Sequence, residues 1–270
     1  VVRVLISILI LYGYLNAGEV IEAVKGLLGN KYYQHRKIVN VLFRNENAFY
    51  RDAYPDISKI AAKLKANGLL NLYFSSPRQL TLSLAAKGDP LLFLKTVNES
   101  LHDIGYSFFT TKEARRDGNY FHWKIVLKSE SAIDPELFAK ELYKRGIFIQ
   151  RVKRKNSTYW EYDLDLSNAQ ILAKTLNSYK ELSLRKPLDD YWFKVDIPSS
   201  MVEISSHIND NWHPYVIFYD SSLKMLGYYT NKEKEKRVKL QIPADTRYIK
   251  ISDYYSLSNI KRGLRIRLYQ

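Results

Sequence analysis

Leu80-Thr81-Leu82-Ser83-Leu84-Ala85, followed by Asp89-Pro90 and a run ending at Gly105, is the stretch whose reading decides the fold. The first six residues alternate apolar and small polar side chains, the period of a strand with one buried face. Asp89-Pro90 then supplies an N-cap and a proline suited to the first helical turn, while Leu94, Val97, Leu101 and Ile104 share one helical face. Strand passes directly into helix.

The same grammar recurs downstream. Strands are predicted at Tyr106 to Glu113 and Tyr120 to Lys128, joined across Arg115-Arg116-Asp117-Gly118. Asp134-Pro135 opens another helix, closed at Gly146, and strands follow at Ile147 to Lys153 and Thr158 to Leu166. Upstream, a helix starts near Pro55-Asp56 and carries Ile57, Ile60, Ala61 and Leu64 at i, i+3, i+4, i+7 before Gly68. A hairpin is expected around Ser75-Ser76-Pro77, between Leu69 to Phe74 and Leu80 to Ala85. Each helix ends in Leu-x-x-x-Gly (Leu64 to Gly68, Leu101 to Gly105, Leu142 to Gly146), which suggests three αββ units. Leu80 to Leu166 contains the order β-α-β-β-α-β, that of ferredoxin-like domains.

Two further helical runs precede these units, one with Val20, Ile21, Val24, Leu27 and Leu28, and one from Lys31 to Phe43. A linker helix is predicted over Asn168 to Tyr179, with Ile171, Leu172 and Leu176 apolar. Beyond Tyr191 helical periodicity disappears. Seven short strands are predicted there, at Tyr191 to Ile197, Met201 to Ser206, Tyr215 to Tyr219, Leu223 to Tyr229, Val238 to Ile242, Tyr248 to Ser252 and Leu264 to Tyr269. That pattern reads as a β-sandwich. The fold class is therefore α+β: N-terminal helices, a ferredoxin-like region of αββ units, and a C-terminal antiparallel sandwich. The expected divisions are 1–17, 18–78 (helices with hairpin), 79–180 (ferredoxin-like, with the linker helix) and 187–270 (sandwich).

Residues 1–17 read as a secretory signal peptide, with Arg3 ahead of the apolar run Val4 to Leu15 and Ala17 as the small residue at a cleavage site. The competing reading is an ordinary buried helix. Export places the mature chain in the periplasm, and no second apolar run of membrane-spanning length follows Leu15.

The 270 residues contain no Cys, which excludes disulfides, thiolate metal sites and thiol nucleophiles. The formal net charge of +14 calls for acidic partners: outside the cytosol, lipid head groups, lipopolysaccharide or the carboxylates of wall peptides. The basic clusters Arg151 to Lys155 and Lys232 to Arg237 read as solvated hairpin turns.

Motifs that carry chemistry are sparse. No Gly-rich phosphate loop, no G-x-S-x-G and no metal-spaced His pair is present, so no catalytic residue, metal or cofactor is assigned. His207 and His213 flank a turn-rich loop that reads as a plain strand connection, and the acid pairs Asp163, Asp165 and Asp189, Asp190 receive no role. With 22 Tyr and 4 Trp, aromatic binding surfaces are the better lead. Trp212, His213, Tyr254 and Tyr255 fall in sandwich loops and form the candidate ligand-binding patch.

Trp192-Phe193-Lys194-Val195, Tyr215 to Asp220 leading to Leu223-Lys224, and Ile242-Pro243 before Tyr248 to Ile251 resemble the jelly-roll modules of exported bacterial proteins. Pre-peptidase C-terminal and carbohydrate-binding domains are of that kind. In composition and layout the whole chain resembles basic, Tyr- and Lys-rich periplasmic proteins of epsilonproteobacterial type, some of which serve envelope or flagellar-motor assemblies. The resemblance implies a non-enzymatic periplasmic scaffold or adaptor, docking envelope partners by sheets or edge strands. The alternatives are glycan or peptidoglycan recognition through the sandwich and, if residues 4–15 are a core helix, a cytosolic winged-helix protein that binds DNA.

Overall fold

The computed structural model describes residues 18–270, so the signal-peptide reading of residues 1–17 lies outside it. The chain divides into two compact units, one up to Gln170 and one spanning Ile171–Gln270.

In the first unit, helices α1 (Glu19–Leu28), α2 (Tyr32–Leu42) and α3 (Ile57–Ala66) precede the long strand β3 (Tyr73–Lys87), with a small hairpin β1 (Tyr50–Arg51) and β2 (Tyr54–Pro55) between α2 and α3. Then come α4 (Pro90–Asp103), the hairpin β4 (Thr110–Asp117) and β5 (Tyr120–Ser131), α5 (Pro135–Lys144), and the hairpin β6 (Phe148–Arg154) and β7 (Tyr159–Asp165). The capping signals act as expected. The carboxylates of Asp56, Asp89 and Asp134 each accept a bond from a backbone N–H in the first turn of the helix they open.

The sheet order is β4-β5-β3-β7-β6. Strand β3 lies antiparallel to β5, which is antiparallel to β4, so β3-α4-β4 is the split βαβ of ferredoxin-like order. On its other side β3 pairs in parallel with β7, and β6 closes the sheet. The α5-β6-β7 unit thus adds a hairpin, one strand more than the four-stranded ferredoxin arrangement.

Alternation decides the faces. Leu80, Leu82 and Leu84 of β3 are buried with Trp123, Ile125, Trp160 and Tyr162 of the neighbouring strands and with Phe93, Val97, Phe138 and Leu142 of the helices. Thr81, Ser83 and Ala85 occupy the opposite face. Arg145, buried after α5, donates to Asp103 of α4 at 2.5 Å and lies 3.6 Å from both Glu99 and Glu141, tying the two helices together.

The sequence expectation of a hairpin at Ser75-Ser76-Pro77 is not met. One strand runs through these residues, and its register with β5 shifts between Tyr73 and Arg78. The bulge explains how a proline is tolerated, because an unpaired stretch needs no N–H from it. Without that hairpin, the wing required by the DNA-binding alternative is missing from its expected place.

The two sheet edges differ. Strand β4 is an exposed edge whose Lys112, Glu113, Arg115, Arg116 and Asp117 discourage pairing. Strand β6 is shielded by α1. A Cβ on Gly26 would lie 1.9 Å from the Val152 carbonyl oxygen, and one on Gly29 3.0 Å from that of Arg154, so the helix backbone approaches the strand where a side chain would not fit.

The second unit is two sheets, ordered β13-β12-β15-β10-β8 and β14-β11-β16-β9. Its strands are β8 (Lys174–Leu176), β9 (Leu182–Ser183), β10 (Tyr191–Val195), β11 (Met201–Ser206), β12 (Pro214–Tyr219), β13 (Met225–Thr230), β14 (Arg237–Gln241), β15 (Tyr248–Asp253) and β16 (Leu264–Tyr269). All seven strands expected from the sequence are present. Phe193, Val216, Phe218, Ile249 and Ile251 of one sheet share a core with Val202, Ile204, Ile266 and Leu268 of the other.

The linker helix over Asn168 to Tyr179 does not form. Asp165 closes β7 by accepting from Ser167 N, and residues 174–176 instead form β8, parallel to β10. Leu176 is buried in the sandwich core, whereas Leu172, its i−4 neighbour, is exposed; a shared helical face would have buried both.

Candidate functional site

The predicted patch divides between core and surface. Trp212 is fully buried and donates its indole N–H to the Ser252 carbonyl at 2.9 Å. Its ring is therefore a core element and offers no contact to a ligand. His213, Tyr254 and Tyr255 are brought together above it. The His213 and Tyr255 rings are 5.0 Å apart and edge-on, Tyr254 and Tyr255 are 4.9 Å apart, and Tyr254 and Tyr255 are 41% and 60% exposed.

Asp253 organises this corner. One carboxylate oxygen accepts from Tyr255 N, Ser256 N and Asn259 Nδ2, and the other accepts from His213 N at 2.7 Å. Burial alone would raise its pKa; the hydrogen bonds from His213, Ser256, Asn259 and Tyr255 outweigh burial and hold it below the ordinary carboxylate value. A depressed folded-state pKa stabilises the fold above the unfolded value of ~3.9, and that contribution disappears as pH falls through the folded-state value. Denaturant midpoints of the sandwich should therefore drop on acidification below about pH 4. Asp253→Asn should be less stable at neutral pH and flatter in acid; an unchanged acid slope would remove Asp253 from this role.

From the corner, aromatic side chains continue over the outer face of the five-stranded sheet. Tyr254 meets Tyr215 of β12, edge-on at 6.4 Å. The ammonium of Lys250, on β15, lies 6.0 Å from the Tyr215 ring and 5.9 Å from that of Trp192 on β10. Trp192 stacks on Tyr219 at 5.4 Å. Lys232 lies over Tyr254 at 5.6 Å, and Tyr228 of β13, the cross-strand partner of Ile217, is 63% exposed. The result is a band of Tyr255, Tyr254, Tyr215, Trp192 and Tyr219 with Lys250 at its centre.

Lys250 is held by Asp190, 2.5 Å away, whose other oxygen accepts from Ser252 Oγ. Burial lowers the Lys250 pKa, but Asp190 more than compensates and leaves it raised, so the ammonium stays charged at neutral pH.

No protein-family model matches the chain, and no curated protein matches it in sequence. Among solved structures, it is similar to the pre-peptidase C-terminal domain of a collagenase from Bacillus anthracis, at 10% identity and a TM-score of 0.25, over 38% of this chain and 98% of that one. A likeness this distant transfers neither ligand nor role.

Other polar groups singled out in the sequence are tied into local structure. Asp210, between His207 and His213, is spent on Arg262, accepting from its Nη1 at 2.6 Å and its backbone N–H at 3.0 Å. Asp163 pairs with Arg151 at 2.6 Å, and Asp165 accepts from the Tyr54 hydroxyl at 2.8 Å. Asp189 accepts from the backbone N–H of Asp190 at 2.7 Å. Among the described residues there is no group of three His, Asp or Glu side chains placed to hold a metal.

Sequence reasoning did not find Trp192, Tyr215, Tyr219 or Lys250. The signal is the alternation of Tyr215, Ile217 and Tyr219 with Val216 and Phe218. Both sets are apolar enough to be core, so period two by itself does not say which one faces out.

Proposed function

We propose that this protein is a non-enzymatic adaptor of the bacterial envelope, acting in the periplasm, and that its sandwich holds peptidoglycan glycan strands on the aromatic band. The observation that carries the reading is the run of aromatic rings from His213 and Tyr255 through Tyr254 to Tyr215 and, across Lys250, to Trp192 and Tyr219. Tyr and Trp rings combine a large apolar face with a polar edge at small entropic cost, which suits the C–H faces and hydroxyls of sugar rings. Rings from β10, from β12 and from the loop after β15 offer several stacking positions on one face, which suits a chain of sugar rings better than a single ring. Lys232 places positive charge beside it, and the +14 net charge of the chain favours the carboxylates of the wall.

The test is co-sedimentation with purified sacculi. The wild-type chain should pellet, and the double variant Tyr254→Ala/Tyr255→Ala should bind at least about tenfold more weakly, as expected for removal of two anchor rings. Equal pelleting of the variant, or none by the wild type, would end the glycan reading.

A further inference from the structure

The first unit contains a cleft of about 630 Å³ between α1, the β1–β2 hairpin and the edge strand β6. Arg154, the last residue of β6, lines it. The Arg154 guanidinium lies over the Trp160 ring, 5.1 Å from its centroid, which leaves its N–H edges to find partners elsewhere. Among the described residues none of those N–H groups donates to an acceptor, although the side chain is half-buried.

The surrounding cations are already neutralised. Arg151 pairs with Asp163 at 2.6 Å, Lys155 with Glu161 at 3.4 Å, and Lys25 with Glu22. Lys153, the preceding residue of β6, is exposed on the opposite face of the strand. Glu19 and Glu22 line the α1 side, so positive potential is confined to the Arg154 end. Burial lowers the Arg154 pKa, as befits a cation withdrawn from water without a counter-charge. A guanidinium fixed by stacking, with a free fork of donors, matches the paired oxygens of an oxyanion.

We propose that this cleft binds a small ligand carrying one oxyanion, a carboxylate or a phosphate, through the Arg154 guanidinium. Its volume lies within the range that holds small molecules, about 300–1,000 Å³. The site belongs to the first unit and is independent of the aromatic band on the sandwich.

The experiment is calorimetric titration of the full chain with inorganic phosphate and, separately, with acetyl-Ala-Ala, whose C-terminal carboxylate is its anionic group. Saturable binding is expected for at least one probe. Phosphate alone would identify a phosphate ester as the ligand class, the dipeptide alone a peptide C-terminus, and both an oxyanion cradle indifferent to the source. Arg154→Met, which keeps an apolar stem over Trp160, should weaken binding at least about tenfold, whereas Lys153→Met, on the other face of β6, should change it by no more than about twofold. If Arg154→Met fails to fold, Arg154→Lys keeps the charge, loses the fork and should weaken binding about threefold or more. No saturable binding of either probe up to about 10 mM, or an affinity unchanged by the Arg154 variants, overturns the proposal.

Discussion

Trp212→Ala is expected to unfold the sandwich instead of blunting a binding surface. The indole is fully buried in the core shared by the two sheets, and its N–H satisfies the Ser252 carbonyl. Truncating a buried aromatic to alanine costs about 3–5 kcal/mol through lost transfer energy and the cavity left behind. The orphaned Ser252 carbonyl adds to that cost. A loss of this size is a large fraction of the 5–15 kcal/mol that a typical domain has in total. Denaturant titration of the full chain should show the sandwich unfolding at markedly lower midpoint, whereas Tyr255→Ala, exposed above it, should shift stability by no more than about 0.5 kcal/mol. A Trp212→Ala protein with wild-type stability would contradict the packing described. The pair also separates roles that proximity in sequence confuses: Trp212 positions the corner, and Tyr254 and Tyr255 present it.

The second large effect is expected at Gly26. In an ordinary exposed helix, Gly→Ala gains up to about 1 kcal/mol from propensity. Here the added Cβ would meet the Val152 carbonyl oxygen at 1.9 Å, and that oxygen belongs to the backbone of a paired strand and has no alternative rotamer. The clash should outweigh the propensity gain and leave Gly26→Ala destabilised by about 1–3 kcal/mol, with Gly26→Val worse. Relief requires α1 to lift from β6, which would bare an edge strand and favour self-association. Thermal melting with size-exclusion chromatography reads both consequences. A stabilised, monomeric Gly26→Ala would show that α1 does not lie against β6.

What the sequence discloses follows the range of the interactions involved. Helices α4 and α5 are legible because Asp89-Pro90 and Asp134-Pro135 write their starts locally, and their buried faces repeat at helical spacing. Strands β11 and β16 are legible to the residue because their alternation is bounded by turn residues. Strand β8 is not, since three residues gain strand character by parallel pairing with β10, a partner distant in the chain. The hairpin misread at Pro77 shows the converse: a strong local turn signal yields to a bulge when the flanking residues are both needed by one sheet. At the candidate site, the gathering of His213, Tyr254 and Tyr255 is foreseeable from loops at one end of a sandwich. The burial of Trp212 is not, because a large aromatic beside a turn has the same sequence signature whether it covers the core or faces water. The extension to Trp192 and Tyr219 depends on strand register, which joins residues of β10 and β12 through β15.

The central claim, that the outer face of the sandwich holds an extended glycan, is tested most directly by following tryptophan indole signals by NMR during titration with soluble glycan-strand fragments. Trp123, Trp160 and Trp212 are buried, whereas Trp192 is partly exposed within the band. The Trp192 indole should shift progressively and saturably while the other three stay in place. An unmoved Trp192 at fragment concentrations where the protein co-sediments with sacculi would contradict it and locate the binding surface elsewhere on the chain.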